Sequence, residues 1–470
     1  MILRVPEPQL TKPNKIVYGG QTLIDLTEDT VTPETLKQGV TAHDAAGEII
    51  TGTLVPSSGA VQESDINFYD YDGTLLHAWT LAELAGKTAL PELPTREGLV
   101  CQGWNWTLAE LKEENGPIDV GANYITDDGK TRIYIHLEEG RTSPMLGIGT
   151  NGTILVDWGD GSTPDALTGE NAGLTTWSPT HNYPAAGDYV IQLTRQSGVL
   201  FFNGEENTSL GSCLLRHSAT ADERNSVYRN AIKKIEIGDA GRFSPSAFAE
   251  CAGLESISIP KNIELSFYSP FGNCKNLRAI VIGAGTAIGQ NAIWNAENLR
   301  LFSAPKSVTA YGGTAFYTTK ITRIRTSGIT SIGSMTYGNL KGIRELSLDS
   351  AITAIRKGLC QYCDCLASIT IHGSVSSIGA NAFLQCRSLA SITIPGSPTI
   401  IGASAFSECS GMAYCDFTAC TAIPTLYNVN AFTGIPSDCE IRVPASLVDA
   451  WKAATNWSTY ADHIVGVSTT

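Results

Sequence analysis

The 470-residue chain contains no run of 18 apolar residues, so no segment of it is built to cross a membrane as a helix. Its first ten residues carry Pro6 and Pro8 and lack an apolar stretch, which predicts that this is not a secretory leader and that the chain is not exported by the general route. It has no Gly-x-Ser-x-Gly, no His-Glu-x-x-His and no phosphate-binding loop. Seven histidines (His43, His77, His136, His181, His217, His372, His463) are scattered along the chain and name no triad or metal cluster. The acidic pairs Asp127-Asp128 and Glu138-Glu139 lie beside turns and strand ends, where a solvated face explains them better than paired acid and base roles. Gly147-x-Gly149-x-x-Gly152 spells a dinucleotide fingerprint, but a strand-like stretch over 153–158 follows where the motif needs a helix. The expectation is a non-enzyme without catalytic, cofactor-binding or metal-binding residues, and without a cofactor.

Positive charge is also scarce. Residues 1–231 hold 31 acidic and 14 basic side chains, a net of −17; residues 232–470 hold 15 and 18, a net of +3. Neither half offers the dense basic patch that nucleic acid requires, so no nucleic-acid partner is expected. An apolar fraction of 42% and a charged fraction of 17% describe a folded chain, and its length implies two to four domains.

What is present is a repeat. An aromatic or apolar residue followed three positions later by cysteine recurs as Phe248/Cys251, Phe271/Cys274, Cys360/Cys363, Phe383/Cys386 and Phe406/Cys409, with Ile293/Ala296, Phe316/Thr319 and Tyr337/Leu340 in the intervening slots. The steps between first members are 23, 22, 23, 21, 23, 23 and 23 residues. Such a period predicts a solenoid, whose units bury their apolar faces only against neighbours. Pairs two apart (Ile257/Ile259, Ile280/Ile282, Leu346/Leu348, Ile369/Ile371, Ile392/Ile394) predict short strands with one buried face. Their neighbours are mostly small and polar, so the other face should be solvated, and Pro260 and Pro395 should end their strands. The stacked cysteines should be buried free thiols acting as small hydrophobes. Cys360-x-x-Cys363-x-Cys365 looks like half a zinc site without its second half. With an Ile-Gly pair before each ring (Ile288-Gly289, Ile332-Gly333, Ile378-Gly379, Ile401-Gly402), residues 232–436 resemble the leucine-rich repeats of the BspA-like type, in about eight units. Residues 437–470 resemble the terminal cap found behind such repeats.

Upstream, residues 39–54 read as a hairpin turning near Ala46-Gly47, after a helix start at 32–36. The Gly-x-Thr-Ala-x-Asp and Ile-x-Gly-Thr pattern there resembles an N-terminal module of bacteriophage structural proteins, assigned to 1–56. After a linker at 57–64, residues 66–130 read as a small α+β module resembling β-grasp repeats of bacterial surface proteins. Its Asp70, Asp72 and Gly73 imitate part of a calcium loop, but Phe68 and Trp79 hold ligand positions, so a hairpin turn is the better account. Residues 131–195 alternate as strands. With Val156-Asp157-Trp158-Gly159-Asp160-Gly161 and Tyr183 they resemble a PKD-type immunoglobulin-like sandwich, in which Trp158 and Tyr183 are structural. Residues 196–231 are assigned as a connector.

The fold expected is therefore mainly β and multidomain: small N-terminal modules, an Ig-like sandwich, then a leucine-rich-repeat solenoid with a C-terminal cap. The resemblances imply a bacteriophage virion protein, a tail fibre or receptor-binding protein, with a head fibre or a bacterial cell-surface adhesin as alternatives. They imply virion partners through the N-terminal region, a host glycan or protein on the solenoid, no membrane insertion, assembly in the host cytoplasm and homo-oligomers, often trimeric. Trp294, Tyr311, Tyr317, Tyr337 and Tyr362 are the aromatics near turns that either stack on a sugar or cover the core of their own unit.

Overall fold

The computed structural model describes residues 63–169, 176–177, 179–202, 214–216, 227–238, 241–243, 246–264 and 269–468, with four short strands nearer the N-terminus. The chain divides into two units, Met1–Gln62 and Glu63–Thr470. In the first, β1 (Lys15–Tyr18) pairs antiparallel with β2 (Gln21–Asp25), and β3 (Thr41–His43) with β4 (Ile49–Thr51). Thr41 opposes Thr51 and His43 opposes Ile49, which centres that hairpin on residue 46. The helix start expected at 32–36 lies outside the described residues.

The second unit opens with β5 (Ile66–Tyr69), β6 (Leu75–Trp79), α1 (Leu81–Gly86), β7 (Leu99–Trp104), α2 (Leu108–Lys112) and β8 (Ile118–Thr126). The sheet order is β6-β5-β8-β7, with β5 and β8 parallel and the other pairs antiparallel. Both helices begin on capping boxes, Thr80 with Glu83 and Thr107 with Glu110, which satisfy backbone donors that short helices otherwise leave open. The turn after β5 is closed by Gly73 at φ 92, and the Arg96 guanidinium sits 2.7 Å from Asp70 and 2.5 Å from Asp72. An arginine thus occupies the place that the acidic pair might have offered a cation.

Next come β9 (Thr131–Leu137), β10 (Met145–Leu146), β11 (Ile148–Thr150), β12 (Thr153–Asp157), β13 (Asp165–Thr168), β14 (Thr176–Trp177), β15 (Gly187–Ser197), β16 (Leu200–Phe202), β17 (Leu215–Arg216), β18 (Ile232–Glu236) and β19 (Gly241–Phe243). They form a five-stranded sheet, β13-β12-β15-β9-β18, a four-stranded sheet, β14-β11-β16-β19, and the pair β10-β17. Trp158 is fully buried; its indole donates to Asp165, and the Tyr183 hydroxyl donates to its carbonyl at 3.0 Å. Both residues are structural. His181 stacks on Trp158 and reaches Asp160 at 2.7 Å, and hydrogen bonds from Ser162 and His181 hold the Asp160 carboxyl down at about 2.

The structure places strands inside the expected connector, because β16 and β17 pair with β11 and β10. It also gives residues 232–236 to the five-stranded sheet, as an antiparallel edge strand on β9 rather than a first solenoid turn. No boundary in packing separates the two. One continuous core runs from Ile133 to Ile464, and Phe202, Phe243 and Phe248 meet ring to ring where these sheets give way to the solenoid.

The solenoid strands are all parallel. Longer strands (Ser256–Glu264, Ala279–Ala284, Leu301–Ser303, Glu345–Leu348, Ser368–Ile371, Ser391–Thr393, Tyr414–Asp416, Glu440–Pro444, Ile464–Val467) lie along one side, and two-residue strands such as Ser377–Ile378 and Ile400–Ile401 along a second. Pro260 does not end its strand; it sits within Ser256–Glu264 at a register shift, where a missing donor costs no ladder bond. The inward residue of each unit is flanked, two residues before and two after, by residues in the left-handed region, such as Asn381 and Gln385 around Phe383 or Asn291 and Asn295 around Ile293. Asparagine recurs there because it tolerates that conformation best among non-glycine residues. The Ile-Gly pair has a steric cause: a Cβ on Gly333, Gly379 or Gly402 would overlap the backbone of the preceding coil. Rings stack from coil to coil, Phe248 on Phe271 and Phe383 on Phe406 at 5.4 Å, and Phe406 on Phe432 at 4.9 Å. Trp451, Trp457 and Tyr460 close the far end over Phe417 and Phe432.

The cysteine ladder is seen directly. Cys274, Cys363, Cys386 and Cys409 donate S–H to the carbonyls of Phe248, Tyr337, Cys360 and Phe383, each in the preceding coil, at 2.9–3.1 Å. Cys363, Cys386 and Cys409 are free thiols. Burial pushes the Cys409 thiol up to about 12 and those of Cys420 and Cys439 to about 11. Because the thiolate is the nucleophile, iodoacetamide at pH 8 should label exposed Cys365 within minutes and spare the nine buried cysteines until the chain unfolds. Mass spectrometry of labelled peptides checks this; early labelling of Cys386 or Cys409 would refute the ladder.

Candidate ligand-facing surface

The longer strands of the solenoid present alternate residues outward, and that outward row divides in two. On the first three strands Ala279, Val281 and Leu301 belong to a second core, completed by Phe68, Trp104, Trp106, Val120 and Tyr124 of the 63–126 module. The sheet face expected to be solvated is therefore covered here. β8 crosses these strands closely enough that a Cβ on Gly121 would collide with Val281. Several polar groups in the contact are paired: Asn105 donates to Ile282 O at 3.0 Å and Ser303 Oγ at 2.9 Å, Asn123 to Ile259 O at 3.0 Å, and the Trp106 indole to Ala304 O at 2.9 Å. At the end of the contact Arg323 donates to Ser64 O and Asp65 O at 2.9 and 2.8 Å, with its Nε 3.1 Å from the buried Asp119 carboxylate. Every buried polar atom that finds a partner spares a desolvation cost of roughly 1–3 kcal/mol, which marks a fixed contact rather than a transient one.

Beyond this module the sheet is open. Glu345 opposes Ser368 and Ser347 opposes Thr370; further on, Ser391 opposes Tyr414, Thr393 opposes Asp416, and these oppose Glu440 and Arg442. Ser347, Ser368, Thr370 and Thr393 are exposed, short and hydroxylated. At one margin the Ser347 hydroxyl lies 2.9 Å from His372 Nε2. At the other, the Arg442 guanidinium stacks 3.8 Å from the Tyr414 ring centre and its Nε donates to Glu440 at 2.8 Å. A hydroxyl–imidazole pair on a flat, wet sheet has no enclosed place for a reacting group, so it serves as a polar contact rather than a nucleophile and base. Among the described residues there is no group of three or more His, Cys, Asp or Glu able to hold a metal, and no helix long and apolar enough to cross a membrane.

The five aromatics singled out from the sequence separate cleanly. Tyr311 and Tyr337 are core: they are 2% and 0% exposed and pack their rings on Phe316. Tyr337 takes the place of the stacked phenylalanine and Tyr311 that of the isoleucine before the turn glycine, which rules both out as sugar platforms. Trp294, Tyr317 and Tyr362 stay half-buried on the turn flank. The open sheet face itself is the feature that sequence reasoning did not isolate. Its signal was the change in outward residues from Ala279, Val281 and Leu301 to Ser347, Ser368 and Thr370.

Comparison with known proteins bears on the solenoid. Residues 223–339, 286–413 and 312–439 match the BspA type leucine rich repeat region, in six copies. Similar solved structures include a leucine-rich repeat protein from Bacteroides ovatus, 16% identical, covering 48% of this chain and 81% of that one with a TM-score of 0.27. Another is a leucine rich cell surface protein from Faecalibacterium prausnitzii, 19% identical, covering 50% and 71% with a TM-score of 0.29. No curated protein matches the sequence. The matched family is defined by a repeat and not by a catalytic motif. With parallel coils, rings stacked between neighbouring coils and close Ile-Gly turns at Gly333, Gly379 and Gly402, the solenoid within residues 223–439 is a BspA-type leucine-rich repeat region.

Proposed function

We propose that the protein is a non-enzymatic adhesion protein that presents the open half of its solenoid sheet, over 345–467, to an envelope glycan or protein. The observation that carries this is the contrast within one row of strands. The early strands are sealed by the chain's own module, whereas the later ones turn short hydroxyl side chains to solvent. A flat polar face makes many weak contacts, and several copies acting together turn them into avidity. The setting proposed first is a bacterial cell surface, since the repeat region is the part that matches a known family. The second is a phage particle, as a tail fibre held through the N-terminal region; the pattern over 39–54 and its hairpin favour it. Neighbouring capsid or tail genes would decide for the second.

The test uses the full chain with Thr370→Arg and Thr393→Arg together, two exposed positions on adjacent coils. Binding to immobilised Gram-positive and Gram-negative envelopes should fall by about tenfold or more, the equivalent of two lost contacts, with the melting temperature unchanged. Equal binding by the variant, or no binding by the natural chain, removes the reading.

A further inference from the structure

We propose that a linear anionic glycan, with a carboxylate or a phosphate in its repeat, binds along one flank of the solenoid. That flank is the stretch of each coil that follows the cysteine position and leads toward the longer strands. Residues 275–345 hold nine basic side chains and two acidic ones, in a chain whose net charge is −14. Three of the nine are engaged elsewhere, Arg323 and Arg325 on carbonyls and Lys306 on Glu113. The other six, Lys275, Arg278, Arg300, Lys320, Lys341 and Arg344, are exposed on this flank.

Contacts from coil to coil place these six in one row. Arg300 N donates to Arg278 O at 3.0 Å, and Lys320 N to Leu299 O at 3.0 Å, beside Arg300. Asn298 joins two of the lysines, donating to Lys275 O at 2.9 Å and accepting from Lys320 Nζ at 3.0 Å. Lys341 N donates to Thr319 O at 3.3 Å, and a Cβ on Gly342 would stand 2.7 Å from Lys320 O. The row therefore follows the solenoid axis at about 4.8 Å per coil. Acids only partly cancel it. Glu297 pairs with Lys275 at 3.3 Å and Glu255 with Arg278 at 3.8 Å, while Lys341 and Arg387 share the single Asp364 carboxylate at 2.7 and 3.1 Å. Arg300, Lys320 and Arg344 have no carboxylate partner among the described residues. Unmatched charge set along a line attracts a polyanion.

Two observations favour a glycan over a nucleic acid. At its first end the row opens on a cavity of about 550 Å³ whose lining includes Lys275, Arg229, Glu250, Asn273 and Asn295. There Asn295 Nδ2 donates to Asn273 Oδ1 at 2.7 Å, Asn273 Nδ2 to Glu250 Oε1 at 2.8 Å, and Arg229 pairs with Glu250 at 2.5 Å. The Glu250 charge is thus matched, and each amide nitrogen spends one of its two donors in this chain, which leaves the other for a hydroxyl. Single-stranded nucleic acid, in contrast, needs aromatic platforms for its bases. The flank has none: residues 275–278, 297–300, 320–323 and 341–344 include no aromatic side chain. A duplex carries a charge about every 1.7 Å of its axis, far denser than this row.

This site is separate from the open sheet face and is tested on the purified full chain, without cells. Calorimetry would follow titration with oligogalacturonate, with poly(ribitol phosphate), with neutral dextran and with oligothymidylate. At least one of the first two should bind saturably, the carboxylate and phosphate arms telling which anion is preferred. Raising the salt from about 50 to about 200 mM should weaken that binding about tenfold, as counterion release requires. Arg300→Glu with Arg344→Glu should weaken it about tenfold or more, with the melting temperature unchanged because both side chains are exposed. The same charge change at exposed Arg356 and Lys357, which precede the inward residue of their coil, should leave it within about twofold. Thr370→Arg with Thr393→Arg, on the open sheet, should not weaken it. The proposal is overturned if neither anionic polymer binds, or if dextran or oligothymidylate binds as tightly. It is equally overturned if the Arg300/Arg344 variant binds like the natural chain, or if the Arg356/Lys357 or Thr370/Thr393 variant loses as much.

Discussion

Expressed as separate fragments, residues 1–195 and 232–470 should both fail to fold, although their boundaries look like those of independent domains. The first fragment loses β18 from the edge of its five-stranded sheet, and β16, which pairs on both sides, with β11 and β19. The second loses Phe202 from the ring cluster with Phe243 and Phe248, leaving the first coil uncapped. It also uncovers Ala279, Val281 and Leu301, which the 63–126 module buries. Removing one buried aromatic costs about 3–5 kcal/mol, and the cut removes many at once from a fold whose total stability is of order 5–15 kcal/mol. A fragment over 63–470 keeps every one of these contacts and should melt in a single transition close to that of the full chain. Circular dichroism and size-exclusion chromatography of the three fragments give the answer. A monomeric 232–470 fragment melting cooperatively within a few degrees of the full chain would show that the shared core is dispensable.

Much of this architecture was legible in the sequence because a repeat reports its own geometry. The Phe-to-Cys spacing predicted a buried free-thiol ladder, and the structure has it, down to S–H bonds onto the preceding coil. The Ile-Gly pair marked the turn, and its cause is the close approach of backbones at Gly379 and Gly402. What the repeat could not report was anything that breaks it. Strand alternation tells which residues face the core but not what lies on the other side, so the module over the first three strands went unseen. Ala279, Val281 and Leu301 carried that information only when compared with Ser347, Ser368 and Thr370 at equivalent positions. Tyr311 and Tyr337 cover the core of their own units, one of the two roles that the sequence allowed them. Only packing shows that Tyr311 spends its hydroxyl on Arg325 O, 3.0 Å away, inside the core. The run from the sheets over 131–243 to the solenoid was hidden for a different reason: β16 and β17 are three and two residues long and lie in an otherwise polar stretch.

Arg323→Ala should destabilise the 63–470 unit by about 3–5 kcal/mol, the cost of leaving a buried charge without its partner. Asp119 lies almost wholly out of water beneath the module, with Arg323 Nε 3.1 Å away and the Asn67 amide donating to it at 3.1 Å. The same arginine also satisfies two carbonyls, Ser64 O and Asp65 O, so its loss opens the end of the contact as well as its charge. Lys306, by contrast, reaches Glu113 across an exposed rim, 29% and 70% of the two side chains being open to solvent, and the buried Glu114 that it also approaches at 3.4 Å keeps a hydrogen bond from the Ser327 hydroxyl, so Lys306→Ala should cost only about 1 kcal/mol. The two cations are similarly exposed, 22% and 29%, but Asp119 is 9% exposed with Arg323 as its only cation, whereas Glu113 is 70% exposed. The pH dependence provides a second reading. Burial pushes the Asp119 carboxyl up from its ordinary value of 3.8, and Arg323 pulls it back. A carboxyl raised in the fold binds its proton more tightly there than in the unfolded chain. Its contribution is therefore fully present below the unfolded value and is lost as pH rises through the folded value. Removing Arg323 removes the downward pull, so the penalty should be greatest near neutral pH and shrink as Asp119 takes up its proton. Asp119→Asn placed in the Arg323→Ala background should then recover much of the loss at pH 7 and little at pH 4. Urea unfolding of the single and double variants at both pH values measures this. A penalty that is independent of pH, or a double variant no more stable than Arg323→Ala at pH 7, would mean that the ion pair is not what holds the module down.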